Sequence, residues 1–210
     1  MRCFIALPLP DGARAVLAAA AERLKTAWPD FAWARPDGYH ITIAFLGDIQ
    51  GASIECAKAG LESAAGLRSF TFSFEGIGGF PQRGPYRVIA GMIEDEGGAE
   101  LVYQVVNEAL AGHERTAGVG PLNPEWPNGR DFHPHVTIAR VKDRDRGRES
   151  PRPRDIDALV GEAGRRLRSG QWTIDRCVLY KSELRPSGAE YFELKSVMLG
   201  SAADPLADEE

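Results

Sequence analysis

Histidine is scarce in this 210-residue chain, which has four, and cysteine is scarcer still, with three. Cys3, Cys56 and Cys177 are odd in number, far apart and without paired metal-ligand spacing, which excludes a disulfide scaffold and points to reduced thiols. No apolar run approaches the ~18 residues of a membrane helix, and the opening MRCFIALPLP lacks the layout of a secretory signal. A cytoplasmic protein with no membrane partner is therefore expected. Nor is positive charge in excess. The net charge of −5 and pI near 5.5 disfavour a protein that coats long nucleic acid, but allow one that grips a single end.

Two of the four histidines stand in the same tetrad, His40-Ile41-Thr42-Ile43 and His135-Val136-Thr137-Ile138. Random placement of this chain's His and Thr would give on the order of 0.1 His-x-Thr pairs. Both tetrads lie in strand-like apolar runs, YHITIAFLG and HVTIARV. A period of two sends His and Thr to one face and Ile or Val to the other. Each strand can thus anchor in a core while showing an imidazole and a hydroxyl to a cleft.

Around the tetrads, residues 3–7 read as a strand stopped by Pro8 and Pro10, and the Ala- and Leu-rich stretch 11–27 as a helix. Strand 39–46, helix 53–67 and strand 70–74 follow, and Gly78-Gly79 reads as part of a turn before strand 86–93. A third helix is expected at 99–110, a long loop at 112–130 and the second tetrad strand after it. The charged stretch 142–154 reads as a loop, followed by helix 156–167 and strands at 172–180 and 190–196. With one tetrad in each half, the expected class is α+β. Two similar lobes, each a mostly antiparallel sheet with helices on its outer face, should face each other across a central cleft. Residues 1–200 should form one bilobal domain, followed by an acidic tail over 201–210.

These stretches resemble the two-histidine phosphoesterase superfamily and, within it, the LigT-like (ThpR) RNA 2′,3′-cyclic phosphodiesterases. The resemblance rests on RCFIALPLP, YHITIAFLGDI, FHPHVTIAR and LYKSELRPSGAEYFEL. It implies action on RNA with a 2′,3′-cyclic phosphate end, or on a cyclic nucleotide, and a monomer is expected. Water would open the ring to a 2′-phosphate, and the enzyme would also run a 2′-5′ RNA joining reaction in reverse. It also implies that His135 orients the water, that His40 protonates the departing 3′ oxygen and that Arg140 binds phosphate.

The residues themselves suit that chemistry. In-line displacement at phosphorus needs a base on one side and a proton donor on the other, and imidazole, with a pKa near 6.5, serves as either. Thr42 and Thr137 can bond the nonbridging oxygens, and no cofactor or metal is required. Spacing does not distinguish the two histidines. Arg140 has the wrong strand parity to join Thr137 unless a β-bulge intervenes. His133 shares the parity of His135 but sits beside Pro134, where it can shape the strand entry, and His113 reads as solvated. Tyr39, Phe45, Trp126 and Phe132 are candidates for base stacking, and each is also a plausible core residue. Two other functions compete: a non-catalytic module that holds phosphorylated RNA ends, and a metal hydrolase using His40, His133 and His135. The second lacks an Asp or Glu at ligand spacing beside either tetrad.

Overall fold

A computed structural model describes residues 1–29, 31–81, 86–122, 131–141, 153–185 and 188–200. Its strands are β1 (Arg2–Pro8), β2 (Ala32–Trp33), β3 (His40–Asp48), β4 (Phe70–Phe80), β5 (Val88–Asp95), β6 (His135–Arg140), β7 (Trp172–Ile174), β8 (Arg176–Arg185) and β9 (Gly188–Met198). The helices are α1 (Asp11–Ala27), α2 (Ala52–Glu62), α3 (Gly98–Ala117) and α4 (Pro153–Ser169).

The tetrad strands β3 and β6 are antiparallel neighbours at the middle of one curled sheet of order β7-β4-β5-β6-β3-β1-β8-β9. Ile41, Ile43 and Ala44 on β3, and Val136, Ile138 and Ala139 on β6, are fully buried. Burial of each such Ile or Val contributes roughly 1.5–3 kcal/mol, so the apolar face of each tetrad fixes the direction of its polar face. Between β3 and β6 the register holds a single described pair, Ile41 opposite Val136. The sheet is therefore weakly laced at its centre and divides into two antiparallel lobes, one of four strands and one of five, the short β2 pairing with β6.

The expected α+β class and two-lobed plan are observed, but the lobes are not successive halves of the chain. The His40 lobe contains β3, β1, β8 and β9, with α2 and α3 against them; the His135 lobe contains β2, β6, β5, β4 and β7, with α1 and α4. After β1 the chain crosses to place α1 on the far lobe, where Leu17 meets the backbone of Gly91. After β5 it crosses back to place α3, whose Asn107 side chain donates to the Ile43 carbonyl at 3.1 Å.

Several local expectations change. Gly78 and Gly79 lie inside β4, not in a turn, because Tyr86 packs where a side chain would stand. A Cβ on Gly79 would come within 2.7 Å of that ring and 2.1 Å of the Val88 carbonyl oxygen. The expected loop from residue 112 begins instead after α3. The helix runs through Gly112 and ends at Gly118, whose φ of 64° gives a left-handed cap, with Val119 N–H donating to the Glu114 carbonyl. The expected strand 172–180 is two strands. It breaks at Asp175, where the chain leaves β4 in one lobe for β1 in the other. Helix α4 begins at Pro153 and is interrupted at Gly161, with φ 46°. The charged segment 142–152, Trp126 and the tail 201–210 lie outside the described residues.

The core runs through both lobes, and all three cysteines are free and buried; burial pushes the Cys177 thiol up to about 12. No helix among the described residues is long and apolar enough to cross a membrane.

Candidate active site

Each tetrad strand carries one extra residue just past its threonine. On β3 the partners step from Thr42 opposite Ala6 to Ala44 opposite Ile5, leaving Ile43 unpaired. On β6 they step from Thr137 opposite Ala90 to Ala139 opposite Ile89, leaving Ile138 unpaired. Such a bulge turns a carbonyl off the ladder and reverses the side-chain alternation beyond it. Both displaced carbonyls find donors: Asn107 Nδ2 for Ile43, and the backbone N–H of Ala34 at 2.9 Å for Ile138.

The reversal brings Arg140 to the polar face. Its Nη2 lies 3.5 Å from Thr137 Oγ1, and it lines the cleft with Thr137, Thr42 and His40. The same step on the other strand delivers Phe45 to the cleft. The two runs, HITIAF and HVTIAR, thus fold alike and, apart from Ile41 against the buried Val136, differ at their last residue.

The imidazoles are held in matching ways. His40 Nδ1 lies 2.7 Å from the carbonyl oxygen of Gly38, and His135 Nδ1 lies 2.7 Å from that of His133. A carbonyl can only accept, so each Nδ1 carries hydrogen and each Nε2 is left to exchange a proton. A ring backs each histidine: Phe4 lies 4.8 Å from His40, and Phe80 lies 4.8 Å from His135. Tyr191 adds an edge-on contact to His40 at 5.3 Å, and Gly38 allows it, since a Cβ there would stand 2.9 Å from the tyrosine ring.

Burial among these rings lowers the His40 pKa to about 4, against the bond to Gly38; the charges of His135 and Arg140 lower it further. Burial also lowers the His135 pKa, again opposed by its carbonyl bond and assisted by Arg140 and His133. The cleft walls lower the Arg140 pKa through desolvation, although its side chain remains open to the cleft. The cleft encloses about 810 Å³.

Of the other sequence candidates, His133 is exposed and supplies its carbonyl to His135. His113 lies on α3, where its carbonyl accepts from the Cys56 thiol at 3.7 Å. Tyr39 is a core residue at 3% exposure, which removes it from base stacking, and Phe132 stacks on Tyr103 at 4.3 Å. Among the described residues, no three His, Cys, Asp or Glu side chains converge in a geometry that would hold a metal ion. Sequence reasoning missed Phe4, Phe80 and Tyr191. Phe4 was within reach, since alternation along β1 fixes its face, whereas Phe80 and Tyr191 depend on pairings distant in sequence.

The profile of the family described as LigT like Phosphoesterase matches residues 7–90 and 106–191. An RNA 2′,3′-cyclic phosphodiesterase of Thermus thermophilus is 31% identical, with 95% of this chain and 90% of that protein covered. One from Methanothermobacter thermautotrophicus is 26% identical over 93% of this chain and 97% of its own length. Among solved structures, TT0787 of Thermus thermophilus superposes with a TM-score of 0.71 at 25% identity, covering 96% of this chain and all of that one (100%). The fold is also that of E. coli LigT, solved with 3′-AMP, at a TM-score of 0.62 and 19% identity over 94% of this chain and 96% of that one. With both tetrads inside the matched segments, the chain belongs to the LigT-like phosphoesterase family.

Proposed function

We propose that this protein is an RNA 2′,3′-cyclic phosphodiesterase that opens the cyclic phosphate to a 2′-phosphate by paired histidine catalysis. The observation that carries this reading is the matched pair of imidazoles, each with Nδ1 committed to a carbonyl and Nε2 free for proton transfer. The relatives from Thermus and Methanothermobacter bear the name of the same activity.

In this reading His135 Nε2 takes a proton from water as its oxygen bonds to phosphorus. The bond from phosphorus to the 3′ oxygen breaks, and His40 Nε2 gives that oxygen a proton. Thr42 and Thr137 donate to the nonbridging oxygens, and the Arg140 guanidinium balances the charge growing on them. The free enzyme holds His40 neutral at ordinary pH, with a pKa of about 4. A bound phosphate anion raises that pKa and charges the acid when the substrate is present. With a 5′ hydroxyl in place of water, the same ring opening joins phosphorus to the 5′ oxygen, breaks its bond to the 3′ oxygen and leaves a 2′-5′ linkage; in the reverse of that joining step the two histidines exchange roles. Every side chain in the scheme comes from one chain, so a monomer suffices.

The test is product analysis with a panel of 2′,3′-cyclic nucleotides and cyclic-ended oligonucleotides, with and without a chelator. Release of 2′-phosphates at an unchanged rate in EDTA is expected. Tight binding without product would instead make the protein a holder of phosphorylated RNA ends. Activity lost to EDTA and restored by zinc or manganese would require a metal mechanism.

A further inference from the structure

The cleft holds a charge pattern that this chemistry does not use. Its described lining includes Arg2, Arg35 and Arg140 and no Asp or Glu, in a protein of net charge −5. Arg35 is already paired, with Asp37 and with Glu190 at 3.8 Å. Arg140 belongs to the tetrad through Thr137. Arg2 makes no ion pair among the described residues, not even with Asp48, which faces it across the β1–β3 ladder.

The position of Arg2 follows from its strand. β1 alternates regularly, the extra residues lying on β3, so Arg2 and Phe4 share a face. The Phe4 ring packs against His40 and, at 5.0 Å, against Tyr191. Two residues along a strand span about 7 Å. Arg2 therefore stands on the cleft face, one step outward from Phe4, whose ring reaches back to His40. Its electrostatic neighbours agree: Arg140 acts on both imidazoles, whereas Arg2 acts on Arg140 and Tyr191. Two guanidinium groups near one tyrosine, with no acidic residue in the lining, repel each other until an anion enters between or beside them.

We propose that Arg2 binds a second phosphate, the one attached to the 5′ oxygen of the nucleotide whose cyclic end is cleaved. This rests on the proposed function and sharpens its substrate class: an oligoribonucleotide end or a 5′-phosphorylated cyclic nucleotide, in preference to a cyclic mononucleoside. Arg35, held by its two acids, is less able to take that role.

The experiment compares adenosine 2′,3′-cyclic phosphate, its 5′-phosphorylated form and a cyclic-ended dinucleotide. The expected wild-type KM is about tenfold lower for the two phosphate-bearing substrates, as for one charge-assisted contact. Arg2→Gln should erase that preference, and Arg2→Lys should restore much of it together with its salt dependence. A wild type without the preference, or an Arg2→Gln that raises all three KM values together, overturns the inference. A preference for the 5′-phosphorylated nucleotide but not the dinucleotide would overturn the RNA source and keep the phosphate subsite. Calorimetry with adenosine 2′-monophosphate and adenosine 2′,5′-bisphosphate separates the two readings. If nothing is turned over, yet Arg2→Gln still loses the bisphosphate preference, the subsite stands and the hydrolase reading fails.

Discussion

The two lobes meet the cleft with the same backbone and different company. Each holds a histidine fixed by the carbonyl two residues before it, followed by a threonine, a bulge and a side chain returned to the cleft. At that last position one lobe has Phe45 and the other Arg140. His40 is enclosed by Phe4 and Tyr191, whereas His135 has Phe80 and the nearby cation. A symmetric frame can offer two proton carriers, but it cannot orient an unsymmetrical substrate. Orientation has to come from the residues that break the symmetry, and in the proposed reaction the charged Arg140 is the first of these to test.

The strongest way to break the comparison is to remove each imidazole. His40→Ala and His135→Ala should each lower turnover by about 10²-fold or more in a folded protein. A substrate with sulfur in place of the bridging 3′ oxygen needs no proton to depart. It should rescue the His40 variant and leave the His135 variant slow; rescue in the opposite sense would exchange their roles.

Next comes the asymmetric position. Arg140→Gln should cost roughly 10- to 100-fold in kcat/KM, the range for a lost charge-assisted contact. An unchanged value would leave the phosphate without its cation. The threonines should matter less, at about tenfold each. Thr137→Ala should be the more severe because Thr137 also touches Arg140.

The remaining effects lie in pH dependence. Both imidazole pKa values are depressed, so the bell for kcat/KM should peak below 6.5, while that for kcat, measured with phosphate bound, should peak at higher pH. Below pH 6.5 the unfolded chain takes a proton that folded His40 refuses until about pH 4, so stability falls across that window. Denaturant titrations should find this acid loss smaller in His40→Gln, by up to about 3 kcal/mol.

Much of this site could be read before folding, because alternation along a strand is a local property. Ile41 and Ile43 pointing one way oblige His40 and Thr42 to point the other, and the same holds around His135. Helix α1 was equally legible, with Leu17, Ala20 and Leu24 at helical spacing and Pro29 beyond its end. The apparent parity of Arg140 was misleading, since a bulge depends on what the neighbouring strand does. Gly79 read as a turn residue because composition cannot show that Tyr86 will cover it. Nor could periodicity assign an element to a lobe: the break at Asp175 is invisible in an otherwise continuous strand pattern.

The crossing of α1 and α3 makes the chain resistant to being divided. Severed before Gly97, the polypeptide would yield one fragment with β3 but without α3, β8 and β9, and another with β6 but without α1, β4 and β5. Neither piece could assemble a whole lobe, so each should remain largely unstructured alone and regain order only on mixing, with second-order kinetics. Duplication here joins its two copies like clasped hands, and a catalytic cleft that needs both lobes cannot outlast the folding of either.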